Sequence, residues 1–143
     1  MRFALCVGRF YSDVAELLEA GARRALEGHE CDVYDVPGAF ELALAAKLCA
    51  KSGRYDGIVC LGAVIRGETD HYDWVCGEAA RGIGSVALET EVPCGFGVLT
   101  VDTHAQALAR AGDGKRDTGA HAAEAVLALV EVRRRAAPAR PSS

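Results

Sequence analysis

The stretch Ile65-Arg66-Gly67-Glu68-Thr69-Asp70-His71 concentrates more reactive side chains than any other in the sequence. It follows an apolar run and precedes a helical pattern. Its backbone N–H groups and the positive end of that helix therefore suit an anion. Thr69 adds a hydroxyl, and His71 adds an imidazole of the kind that gives or takes a proton near neutral pH. An ordinary capped loop, with Thr69 or Asp70 at the N-cap and His71 exposed, fits the same residues, and both readings stay open on spacing alone. A metal site built from Glu68, Asp70, His71 and Asp73 meets no recognised ligand spacing and is set aside.

Three further residues could do chemistry, each with a plainer alternative. Phe10 sits in a turn, where an aromatic ring either stacks on a planar heterocycle or packs locally. Glu41 opens a helix, where a carboxylate either serves a ligand or complements the helix dipole. Arg110, near the end of a short helix, reads as a dipole-compatible surface cation. Gly82-Ile83-Gly84-Ser85-Val86-Ala87 superficially fits the dinucleotide fingerprint but lies inside a helical pattern, which rules that use out. No Walker motif, nucleophile elbow or Ser/His/Asp order is present.

The elements that must position these residues alternate in type. Met1–Val7 reads as a buried strand, followed by the polar turn Gly8–Ser12. Asp13, with Glu16 three residues on, starts a helix whose apolar face is Val14, Leu17, Leu18 and Ala25, with Gly21 on the same face and Gly28 closing it. Cys31–Val36 is a second strand, broken by Pro37-Gly38, and a helix runs from about Phe40 to Ser52. Gly57–Val64 is continuously apolar, as expected of a strand covered on both faces. A helix near Tyr72–Leu88, a fourth strand from Cys94 to about Val101, and helices through Ala105–Ala111 and Ala120–Arg134 complete the pattern. Strands alternating with helices pair in parallel through right-handed crossovers. The predicted fold is therefore α/β, a single-domain three-layer αβα sandwich on a four-stranded parallel, flavodoxin-like sheet. The domain should span residues 1–135, with 136–143 a frayed tail rich in Pro, Arg and Ser. In such sheets ligands bind outside the carboxyl ends of the strands, where Gly8–Ser12, Val36–Glu41, Ile65–His71 and Thr100–Thr103 converge.

Composition narrows the classes of function. A chain of 143 residues suits one domain with one real core. A net charge of −4 argues against non-specific nucleic-acid binding, and the run Arg133-Arg134-Arg135 fits the negative end of a helix. No apolar run approaches the roughly 20 residues of a membrane span, and Phe3–Val7 is too short for a secretory h-region. Cys6, Cys31, Cys49, Cys60, Cys76 and Cys94 are scattered one per element with no C-x-x-C pair, which suits a reducing, cytoplasmic setting better than a disulfide framework. The last helix is apolar nearly all round. That predicts either a deep intrachain position or an oligomer.

Four motifs in register carry a resemblance: Gly8-Arg9-Phe10; Val36-Pro37-Gly38-Ala39-Phe40-Glu41; Leu61-Gly62-Ala63-Val64 running into Ile65–His71; and Phe96-Gly97-Val98-Leu99-Thr100. With Gln106, Arg110-Ala111-Gly112 and Gly119 in the same order, nearly the whole chain resembles lumazine synthase. The resemblance implies condensation of 5-amino-6-(D-ribitylamino)uracil with 3,4-dihydroxy-2-butanone 4-phosphate, releasing phosphate and water, with no metal or organic cofactor. It implies that Phe10 stacks on the pyrimidine and that the backbone of Ala63, Val64 and Ile65 reads its polar edge. Ala39, Phe40 and Glu41 would hold the ribityl chain, and Glu68 and Thr69 the phosphate. Arg110 and Phe96 would come from a neighbouring subunit of a homopentamer, and His71 would move protons. Partners would thus be two small substrates and further copies of this chain, with neither nucleic acid nor membrane.

Three positions depart from the family's usual pattern. Thr118 stands where a lysine commonly helps bind the anionic substrate, with Lys115 or Arg116 as candidate substitutes from the same loop. Tyr11 stands where an asparagine often follows the stacking aromatic, and Ala43 where proline is common. The first core strand begins almost at Met1, so the extra N-terminal strand many relatives lend to a neighbour is expected to be absent or minimal, leaving pentamer or larger shell open. A flavin- or lumazine-binding paralogue with weak catalysis, and a riboflavin synthase of archaeal type, are the alternative activities.

Overall fold

The computed structural model describes residues 1–112 and 116–139. Four strands, β1 (Arg2–Gly8), β2 (Glu30–Val36), β3 (Gly57–Ile65) and β4 (Cys94–Val101), form one parallel sheet in the order β2-β1-β3-β4. The helices are α1 (Ser12–Ala25), α2 (Leu42–Lys51), α3 (Tyr72–Thr90), α4 (His104–Ala111) and α5 (Thr118–Arg135). Helices α1, α4 and α5 cover one face and α2 and α3 the other, giving the expected three layers. The boundaries shift slightly: α1 begins at Ser12 because Asp13 is drawn to His104, and α5 begins at Thr118 because Asp117 caps it through the Ala120 N–H at 3.3 Å.

Side-chain size sorts the two faces of the central strands. Phe3, Leu5 and Val7 of β1, with Val59 and Leu61 of β3, fill the space beneath α1 and α5. The alternate residues Ala4, Cys6 and Cys60, with the larger Ile58, lie under α2 and α3, where the three small side chains let the helices approach. Each fully buried large apolar side chain here contributes about 1.5–3 kcal/mol.

All six cysteines are free thiols. Cys6, Cys49 and Cys60 are buried together in the second core and act as small hydrophobes. Contact with Cys6 and burial push the Cys49 thiol well up, and burial raises Cys94 to about 11, so these groups stay protonated and inert at neutral pH. No described helix is long and apolar enough to cross a membrane.

The last helix is buried along one face only. Ala122, Ala123 and Val126 press into gaps left by glycines: a Cβ on Gly95 would stand 2.6 Å from the Ala122 carbonyl oxygen, and one on Gly57 2.3 Å from Val126. Ala125, Ala128, Leu129 and Val132 remain exposed on its outer side. On the other face of β4, Phe96 is left 43% exposed beyond the cover of α3.

Candidate active site

The sheet order reverses between β1 and β3, so the chain leaves their carboxyl ends toward opposite layers and opens a crevice there. The segment after β1 turns into α1 and presents Phe10. The segment after β3 makes a short 3-10 turn over Arg66–Glu68 before α3. Between them lies a second 3-10 turn, Ala39–Glu41, following β2. Together these enclose a cavity of about 180 Å³ lined by Phe10, Tyr11, Gly38, Ala39, Phe40, Glu41, Ala63, Val64, Glu68, Thr69 and Val75.

Each wall is held by local bonds. Glu41 Oε1 accepts the Gly38 N–H at 2.9 Å, which fixes the Ala39–Glu41 turn and leaves the other carboxylate oxygen for a further donor. The loop after β3 is tied to the end of β4: the Gly67 N–H donates to the Asp102 carbonyl at 3.4 Å, and Arg66 Nε donates to the Asp102 carboxylate at 3.2 Å. The Arg66 guanidinium also lies 4.3 Å from the centre of the Tyr72 ring, a cation–π contact that sets the first turn of α3. That helix starts at His71 without a side-chain cap. Neither Thr69 nor Asp70 caps it; the Thr69 hydroxyl instead accepts the His71 N–H at 3.3 Å. The first-turn N–H groups of α3 thus lack a side-chain acceptor, as an anion site requires.

The residues singled out from the sequence fall into two groups. Phe10, Ala39, Phe40, Glu41, Ala63, Val64, Glu68 and Thr69 meet around the cavity. Ile65 is buried beneath α1 and can offer only its backbone. His71 is exposed next to the wall formed by Thr69 but is not part of the lining. Phe96 and Arg110 also lie outside it, Phe96 on β4 and Arg110 half-buried in the last turn of α4.

Tyr11, Gly38 and Val75 also line the wall; the first two lie in segments expected at this edge but were not among the candidate site residues, and Val75 was not foreseen. The Tyr11 ring meets Phe10 edge-on at 4.9 Å between centroids and His104 at 5.9 Å, and His104 Nε2 in turn lies 2.7 Å from Asp13. Burial and the nearby Glu68 carboxylate push the Tyr11 hydroxyl up, so it stays a neutral donor beside that carboxylate. Val75 was legible in principle, standing one helical turn beyond His71, whose carbonyl accepts its N–H at 2.9 Å. Thr118 is the first residue of α5, Arg116 is exposed just before it, and Lys115 lies outside the described residues.

This arrangement can hold a planar heterocycle against Phe10, a polyol against Glu41 and an anion at Glu68-Thr69. The family model described as 6,7-dimethyl-8-ribityllumazine synthase matches residues 1–134. The 6,7-dimethyl-8-ribityllumazine synthase of Salinibacter ruber is 50% identical over 133 residues, covering 90% of this chain and 85% of that protein. The enzyme of the same name from Nitratidesulfovibrio vulgaris is 47% identical over 137 residues, covering 92% and 88%. On a match of this length to both the family model and its members, this chain belongs to the 6,7-dimethyl-8-ribityllumazine synthase family.

Proposed function

We infer that this protein is a transferase that condenses 5-amino-6-(D-ribitylamino)uracil with 3,4-dihydroxy-2-butanone 4-phosphate to 6,7-dimethyl-8-ribityllumazine in riboflavin biosynthesis. The observation that carries this reading is the cavity at which an aromatic ring, a carboxylate and a capless helix start converge. Phe10 stacks on the pyrimidine, and the backbone of Ala63, Val64 and Ile65 reads its polar edge. Ala39, Phe40 and Glu41 take the ribityl chain, with Glu41 accepting its hydroxyl hydrogen bonds. Glu68 and Thr69 bind the phosphate through N–H and hydroxyl donors. His71 moves the protons of imine formation and ring closure. No metal or organic cofactor takes part. Holding both substrates in one crevice replaces a bimolecular encounter with a local one, and this proximity accelerates the reaction more than proton transfer does.

Arg110 and Phe96 complete the site from a neighbouring copy in a homopentamer. What supports this is that both stand outside the cavity of their own protomer, and that Phe40, Leu44, Leu48 and Trp74 are large apolar side chains left exposed. The six free thiols favour the cytoplasm.

Mixing the purified protein with both substrates and following lumazine absorbance tests the reading. Clear acceleration over buffer is expected. A folded oligomer that binds riboflavin tightly without turnover, or that consumes lumazine, would overturn it in favour of a binding paralogue or a riboflavin synthase. Arg110→Ala removes a charge-assisted partner of the phosphate, a bond of about 1.5–3 kcal/mol, and so is expected to raise KM for the butanone phosphate by about 10- to 150-fold. An unchanged KM for that substrate would remove Arg110 from the site.

A further inference from the structure

Arg9 lies between the last residue of β1 and Phe10, and it bonds to two separate parts of the chain, the end of β2 and α1. Its Nε donates to Asp35 Oδ1 at 2.8 Å. Its Nη2 donates to Glu19 of α1, whose other carboxylate oxygen accepts Arg23 Nε at 2.9 Å. Its backbone N–H donates to the Val36 carbonyl at 3.0 Å. The Arg9–Glu19 pair is partly withdrawn from water, with the Arg9 side chain 29% and the Glu19 side chain 19% exposed. Burial works against the Glu19 charge, yet its two arginines hold its carboxyl below the usual range.

The anchor points sit next to the cavity walls in the chain. Phe10 follows Arg9 directly, and Val36 leads through Pro37 into Gly38 and the Ala39–Glu41 turn. The two segments touch at the backbone as well: a Cβ on Gly8 would stand 3.1 Å from the carbonyl carbon of Gly38. The phosphate-side loop is tied down separately, by Arg66 and Gly67 to Asp102. The cavity therefore has two independent sets of struts, one per substrate.

We propose that Arg9 is a positioning residue for the heterocyclic substrate: by bridging Asp35, Glu19 and the Val36 carbonyl it fixes the Phe10 ring relative to the Ala39–Glu41 turn. This rests on the site reading given under Proposed function. A fork of donors is needed, because one head group must satisfy two carboxylates lying in different directions. A lysine ammonium keeps the charge but not that geometry.

The test is steady-state kinetics on full-length Arg9→Lys, Asp35→Asn and their double variant, with each substrate varied in turn and Tm measured in parallel. Phe10→Ala serves as the control for the site itself. Small misplacements of bound reactants have effects of up to roughly 10²-fold; we expect Arg9→Lys and Asp35→Asn each to raise the pyrimidine KM about tenfold. KM for the butanone phosphate should stay within about twofold, and the double variant should be no worse than the worse single one, since both break the same bridge. Unchanged pyrimidine KM, or both KM values rising together with a falling Tm, would overturn the proposal and leave Arg9 a purely structural residue. Should Arg9→Lys fail to fold, Asp35→Asn decides alone, because the Asp35 side chain is 61% exposed and its loss is tolerable to the core. If Phe10→Ala raises the pyrimidine KM while Arg9→Lys and Asp35→Asn do not, only this proposal falls. If Phe10→Ala itself is silent, the site reading falls and takes the proposal with it.

Discussion

His71→Ala is expected to lower kcat for lumazine formation by about 10²- to 10⁴-fold, the range of general acid–base catalysis, while Tm stays at the wild-type value. The two halves of that expectation rest on different facts. The reaction forms an imine and closes a ring, so protons must be both delivered and removed, and an imidazole is the side chain that does both near neutral pH. The fold, by contrast, asks little of this ring. His71 is exposed, and α3 starts at it with no side-chain cap to lose. Exposed substitutions away from special features usually change stability by no more than about 0.5 kcal/mol. A wild-type rate from His71→Ala would remove the residue from the mechanism.

The second large effect concerns stability. A Cβ placed on Gly119 would stand 2.0 Å from the Leu18 carbonyl oxygen and 2.8 Å from its carbonyl carbon. Those are backbone atoms inside α1, with no flexible side chain to swing aside, so Gly119→Ala must push α5 away from α1. Overpacking of a tight contact costs about 1–3 kcal/mol. Here the displacement would also reach the Asp117 cap and its 2.7 Å pair with Arg24, so the upper part of that range is expected. Thermal or urea unfolding should show the variant several degrees less stable, or insoluble. A Tm equal to wild type would mean that the two helices part without cost.

Much of this molecule could be read from residue order. Continuous apolar runs such as Gly57–Ile65 announce strands buried on both faces, and alternation with helices dictates parallel pairing. That pattern also places the loops after β1, β2 and β3 at one edge, which is why most of the candidate residues meet around one cavity. What stayed hidden depends on side-chain partners distant in sequence. The sequence favours Asp13 as the start of α1, but His104, 91 residues away, takes that carboxylate and the helix begins one residue earlier. Tyr11 joins the wall only because His104 and Phe10 hold its ring from either side. The 3-10 turn at Ala39–Glu41 forms because Glu41 reaches back to the Gly38 N–H, a three-residue interaction that periodicity does not register. The apolar last helix suggested either a deep position within the chain or cover by a second copy. Glycines 57, 95 and 97 explain how one of its faces can sink deeply enough to anchor it while the other stays open.

The alternation along β4 has one more consequence. Gly95 and Gly97 point toward α5 and have no room for a side chain, whereas Phe96 between them points the other way, outside the core. Two adjacent kinds of position are therefore under unrelated constraints. At 95 and 97 nearly every change is forbidden by the packing of this chain on itself; at 96, where 43% of the residue is exposed, that packing demands far less. Substitution at Phe96 therefore probes whatever covers its ring, with little cost to the sheet that displays it.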